Sequence, residues 1–259
     1  MGIYSSAFVV QAHEADARGA ASVGTICRYL QDIAALHANA IGYGFEEMQS
    51  QSYLWVLSRL TLEIDRFPMW GEQLEIETWP SGTDRLFALR DWIIYAVGAG
   101  PTREVLGRAT SAWVVLSSER RTPVRIEKVS GRMDVIEDRR AIAATPPKLP
   151  AFESASWSRP IDAGYSDLDL NGHINNVRYV EWLIDALPLE HLMSRRLRRL
   201  EVNFLGEGGA NDRVLVRATP ALPPSSGELA PGASEFLHSA ERIGDGTVLC
   251  RARTLWIPG

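Results

Sequence analysis

The chain repeats itself at long range. "RYLQDI" at Arg28 returns as "RYVEWL" at Arg178, and "LEI" at Leu62 returns as "LEV" at Leu200. "ETWP", ending at Pro80, has a partner in "RATP", ending at Pro220, and "VLGRATSAW" at Val105 returns as "VLCRARTLW" at Val248. One short match is a coincidence, but four in the same order describe two copies of one supersecondary unit. A spacing this long makes each copy a domain rather than a solenoid repeat. Between them runs "AIAATPPKLPAFESASWSRP", rich in Pro, Ala and Ser and without periodicity. That composition predicts a linker over 141–157, with domains at 1–140 and 158–259.

Each copy reads as a strand, one long helix and then several strands. Val23, Ile26, Leu30, Ile33 and Ala34 make one helical stripe, stopped by Gly42 and Gly44. Val177, Val180, Leu183, Ile184 and Leu187 make the other, in a helix over 174–187 stopped by Pro188. "EQLEIETWP", "FALRDWIIYAV", "RVLVRATP" and "VLCRARTLWI" alternate as strands do. A lone helix with one apolar stripe must lie on an antiparallel sheet that wraps it. Two such α+β units can pair their sheets edge to edge and so remove two exposed edges.

An apolar content of 46% and a charged content of 23% suit a globular chain that buries a core. The net charge of −5 gives no general attraction for nucleic acid or anionic membrane. No apolar run approaches the ~18 residues of a spanning helix, and the N-terminus lacks the pattern of a signal peptide. Cys27 and Cys250 are far apart and in no CxxC spacing, which predicts reduced thiols in a cytoplasm.

The polar residues that ask for an explanation lie in "SDLDLNGHINNVRYVEWLIDALP". Asp169, Asn171 and His173 alternate just before the second helix, a spacing that predicts side chains on one extended face. Asx residues before a helix are ordinary caps, as Asn175 and Asn176 could be, but imidazole is no cap and titrates near neutrality. With the helices matched as above, the three face Gly19, Ala21 and Val23, so only the second copy carries the set. That predicts chemistry rather than capping. Glu207, in the glycine-rich loop "GEGGAND", is a further carboxylate candidate, with an exposed loop glutamate as the plainer reading.

With these residues the chain resembles the acyl-acyl carrier protein thioesterases of FatA/FatB type, built from two hot-dog domains. "DLDLNGHINNVRYVEWLIDALP" carries most of the resemblance, with "LQDIAALHANAIGYGF", "FPMWGEQLEIETWPSG" and "RDWIIY" in the first copy. The resemblance implies catalytic roles for Asp169, Asn171, His173 and Glu207. It also implies hydrolysis of a fatty acyl thioester on acyl carrier protein. Attack by activated water, with no metal or organic cofactor, is the expected chemistry, and attack by a carboxylate to give a transient anhydride stays open. Amides at the start of the 174–187 helix would polarise the carbonyl, and the first copy would hold the acyl chain. Some relatives carry Cys after the Glu, where this chain has Gly208, so a thiol nucleophile is not expected.

Carrier protein is acidic and needs a basic surface. The candidates are Arg195, Arg196, Arg198 and Arg199, or Arg120, Arg121, Arg125 and Lys128. Three other readings stay open: an acyl-CoA thioesterase of the same superfamily, a hydratase, and a non-catalytic acyl-binding module. The chain could act as a monomer, two copies mimicking a dimer, or pair further as a homodimer.

Overall fold

The stripe beginning at Val23 forms α1, Val23–Ala40. Ser22 caps it, its Oγ accepting from Thr25 N–H at 3.0 Å. Ile26, Leu30 and Ile33 are buried on one face. At the other end Gly42 takes φ +78°, the left-handed conformation that ends helices cheaply only with glycine. The computed structural model describes residues 2–98, 103–129, 134–222, 224 and 229–259. It divides into two compact units, Met1–Pro146 and Pro147–Gly259.

In the first unit α1 lies over β1 (Tyr4–Val9) and β3 (Gln73–Asp84). The sheet runs in the order β1-β3-β4-β5-β2, with β2 Tyr53–Ile64, β4 Phe87–Ala96 and β5 Val105–Ser117. A short α2, Phe45–Ser50, precedes β2, and the two-residue β6, Pro123–Val124, pairs with the end of β5. All pairings are antiparallel, and alternation decides what is buried. Leu74, Ile76 and Thr78 of β3 face inward while Glu75 and Glu77 stay partly exposed.

The second unit repeats this topology. Its strands are β7 Trp157–Asp162, β8 Arg195–Phe204, β9 Arg213–Pro220, β10 Ser234–Arg242 and β11 Val248–Pro258. They run in the order β7-β9-β10-β11-β8, with α3, Asn176–Asp185, packed on β9, β10 and β11. Val177, Tyr179, Val180, Trp182 and Leu183 form its buried face. The helix is shorter than its sequence stripe, because Pro188 halts it and α4, Leu189–Ser194, begins at once. Each unit is thus a helix on an antiparallel sheet, the hot-dog arrangement.

Strand register shows where the copies correspond. Pro80 pairs with Arg90 and Pro220 with Phe236, while Ile64 pairs with Gly107 and Phe204 with Cys250. The "ETWP" and "VLGRATSAW" matches are therefore in true register. Ile64 answers to Phe204, so the "LEI" and "LEV" match is slid by two residues. Ser22 and Asn175 are both helix caps, so the helical match is slid by three.

The stretch between the copies is tied down near both ends of its proline run. Asp91, fully buried, accepts from Ala141 N–H at 2.7 Å and Arg140 Nε at 3.0 Å. Buried Asn203 accepts from Leu149 N–H at 2.8 Å and donates to the Pro147 carbonyl at 2.9 Å.

Candidate active site

The segment before α3 is a tight turn, where alternation had predicted an extended face. Asp169 N–H donates to the His173 carbonyl at 2.8 Å, and Gly172 N–H to the Asp169 carbonyl at 3.0 Å. The Asp169 Oδ1 accepts from Asn171 N–H at 2.8 Å and from His173 N–H at 3.3 Å. Gly172 completes the turn with φ +74°. The reason is local: an aspartate side chain can satisfy the amides two and four residues on, and the following glycine lets the chain close.

The first unit has the same turn, with Asp16 in the place of Asp169. Its Oδ1 accepts from Arg18 N–H at 2.8 Å and Ala20 N–H at 3.3 Å, and Gly19 has φ +78°. Asp169, Asn171 and His173 therefore correspond to Asp16, Arg18 and Ala20, rather than to Gly19, Ala21 and Val23. The aspartate belongs to both copies, and the amide and imidazole belong to the second alone.

Glu207 is brought to the imidazole. Its loop follows β8 and is pinned on both sides of the carboxylate. Gly206 N–H donates to the Leu249 carbonyl at 3.1 Å, and Ile174 N–H to the Gly208 carbonyl at 2.8 Å. The Glu207 Oε2 lies 3.6 Å from His173 Nε2, with 40% and 39% of the side chains exposed. That is ion-pair range when the imidazole is protonated, and too long for a direct hydrogen bond. Both groups reach solvent, so water has access to them. Asn171 is exposed on the same turn. In the first unit the place of Glu207 is held by Phe67, since Ala21 N–H bonds the Pro68 carbonyl as Ile174 bonds Gly208.

Asn175 caps α3, its Oδ1 accepting from Val177 N–H at 2.9 Å, while its carbonyl takes Arg178 N–H at 2.9 Å. Those two amides are occupied by the cap and so are not donors to a carbonyl. At Gly208 an added Cβ would stand 2.6 Å from both Ile174 Cδ1 and Tyr179 Oη, so a cysteine there would have to displace both. Cys250 is fully buried, and burial pushes its thiol far up. Of the basic clusters, Arg195, Arg196, Arg198 and Arg199 are half-buried on β8, with Arg199 paired to Glu201 at 2.8 Å. Arg120, Arg121, Arg125 and Lys128 are exposed.

Sequence reasoning missed the residues that fasten the site. Buried Asp167 accepts from Arg178 Nε at 2.6 Å beneath the turn. Arg242 donates through Nη2 to the Glu207 carbonyl at 2.6 Å and through Nε to Asp212 at 3.0 Å. Only the end of β10 brings Arg242 to the loop, and no local spacing announces it.

A duplicated helix-on-sheet chain with an imidazole and a carboxylate beside one helix start defines a double hot-dog thioester hydrolase. The acyl-ACP thioesterase N-terminal domain matches residues 2–130 and the C-terminal domain of the same family matches 153–258. The chain belongs to the acyl-ACP thioesterase family. It is 32% identical to an oleoyl-acyl carrier protein thioesterase of Arabidopsis thaliana, over 98% of this chain and 75% of the relative. It is also 32% identical to a palmitoyl-acyl carrier protein thioesterase of Gossypium hirsutum, over 99% of this chain and 64% of the relative. The crystal structure of an acyl-ACP thioesterase from Bacteroides thetaiotaomicron superposes with a TM-score of 0.78 at 27% identity, covering 98% of this chain and 97% of that one. The 12:0-ACP thioesterase from Umbellularia californica shares the fold, with a TM-score of 0.82 at 22% identity over 99% and 96%.

Proposed function

We propose that the chain hydrolyses the thioester between a fatty acyl group and the phosphopantetheine arm of acyl carrier protein, with His173 and Glu207 as the reacting pair. The observation that carries this is their approach to 3.6 Å beside a fixed turn. A water between them and the thioester attacks the carbonyl carbon. Glu207, alone or through His173, takes the water's proton. The oxygen that gains charge is met by the exposed carboxamide of Asn171. The C–S bond then breaks, the thiolate takes the proton back through His173, and fatty acid and carrier thiol leave. Asp169 contributes by holding the turn, because its carboxylate already accepts two amides.

The first unit, without imidazole or carboxylate at these places, receives the acyl chain. The exposed Arg120, Arg121, Arg125 and Lys128 offer an acidic carrier protein the complementary charge that the net −5 does not. The test is kcat/KM on matched acyl-carrier and acyl-CoA substrates. An advantage of about tenfold or more for the carrier is expected from a docked partner, since each ~1.4 kcal/mol of docking energy is a factor of ten. Equal use of acyl-CoA would remove the carrier from the reading, and no thiol release from either would remove the hydrolase.

A further inference from the structure

The helix that starts at the site carries a buried phenol whose ring packs edge-on against Trp182 but whose hydroxyl has no evident use in that packing. Tyr179, in α3, is 2% exposed, and its hydroxyl has no partner at hydrogen-bond geometry among the described residues. An unpaired buried hydroxyl costs about 1–3 kcal/mol. The fold does not demand one: counting from the two caps, Ser22 and Asn175, the same helix position in the first unit is Ile26, also fully buried. Burial and the neighbouring Cys250 and Asp212 drive the phenol well above its ordinary range, and the Gly208 backbone amide draws it partly back. The geometric contact is with the residue itself: the phenol oxygen lies against Gly208, 2.6 Å from where its Cβ would begin.

That amide belongs to the peptide joining Glu207 to Gly208. Its carbonyl end is held by Arg242 Nη2 at 2.6 Å, and its other end lies over Tyr179, whose Oη is 2.6 Å from where a Gly208 Cβ would begin. Orienting this peptide plane fixes the backbone torsion next to the Glu207 side chain. The first unit lacks each part. The matching peptide is Phe67–Pro68, whose nitrogen carries no hydrogen, and the residue matching Tyr179 is Ile26. Ala96, paired with Leu74 as Arg242 is paired with Val214, stands where Arg242 does. The phenol, an N–H-bearing peptide and the arginine occur together in the unit that has a carboxylate to aim.

We propose that Tyr179 and Arg242 are positioning residues for the Glu207–Gly208 peptide, the phenol oxygen by packing against Gly208 and the guanidinium by its bond to the Glu207 carbonyl, and so set the Glu207 carboxylate against His173. This rests on the reading of Glu207 and His173 as the reacting pair. Tyr179→Phe removes only the hydroxyl. A carboxylate displaced by a fraction of an ångström should lower kcat by about tenfold or more. KM should stay unchanged, and Tm unchanged or raised, because an unpaired donor has been removed. Arg242→Lys keeps the charge beside Asp212 but loses the fork that reaches the carbonyl, and should lower kcat in the same sense. Wild-type kcat in Tyr179→Phe would overturn the proposal, as would a loss carried by KM or by a lower Tm. His173→Ala in parallel separates the failures. If it stays active, the reading of the site is wrong; if it is dead while Tyr179→Phe is fully active, only the positioning role is wrong.

Discussion

The turn before α1 holds Asp16, Arg18 and Ala20, and the turn before α3 holds Asp169, Asn171 and His173, with matching hydrogen bonds from the two aspartates. Opposite the first turn stands Phe67; opposite the second, Glu207. One chain therefore supplies its own control. What both units keep, the aspartate and the left-handed glycine, is needed to build the turn. What the second alone has, an imidazole, a carboxylate and an exposed amide, is available for chemistry. A residue's presence in the functional copy does not make it a reacting group; its absence from the silent copy is the sharper sign.

The largest effect expected is on the reacting pair. His173→Ala and Glu207→Ala should each lower kcat on an acyl-carrier substrate by about 10²–10⁴-fold, the usual worth of a positioned acid or base, with Tm nearly unchanged. Near-wild-type kcat in either would erase the distinction between the units.

Next in size is acid sensitivity, which the units should share. Burial and the adjacent Arg90 lower His37 to about 4, and full burial lowers His238 to about 4. Between pH 6.5 and about 4 the unfolded chain binds protons that the folded chain refuses. Stability therefore falls as pH drops through that window and is level above it. The loss is on the order of 3 kcal/mol for each histidine if its shift is fully expressed. Melts across a pH series should show it, and replacing either histidine with Gln should flatten the curve by part. A Tm that does not fall between pH 6.5 and 4.5 would refute this.

The smallest effect is the most discriminating. Asp16→Ala and Asp169→Ala should each cost about 1 kcal/mol of stability, as loss of a local side-chain acceptor does. Only the second should also lower kcat. Equal stability losses with unequal rates would sharpen the comparison. A kcat loss in Asp169→Ala with no change in stability would instead give Asp169 a direct part in the reaction.

Much of this was legible in sequence because duplication, stripes and strand alternation are periodic signals. The same periodicity explains the errors. The helical match slid by three residues, close to one turn, and the "LEI" match by two, one strand period. Each slip leaves the apolar face where it was. The helical slip hid Asp16 and made the aspartate look peculiar to the second copy. The turn at Asp169–Gly172 was misread because alternation alone does not distinguish an extended segment from one folded back on its own side-chain acceptor. Tyr179 lies outside the stripe of Val177, Val180, Leu183, Ile184 and Leu187, and nothing in its spacing singled it out. Arg242 and Glu207 are far apart in sequence, and only the sheet brings them together.

A double-mutant cycle on His173 and Glu207, followed through kcat on an acyl-carrier protein substrate, bears most directly on the idea that these two groups act as one unit in the second half-chain. The account predicts that His173→Ala/Glu207→Ala is hardly slower than the worse single variant, because either loss already disables the pair. Losses that simply multiply would mean two independent groups, and the 3.6 Å approach would then have no part in the chemistry.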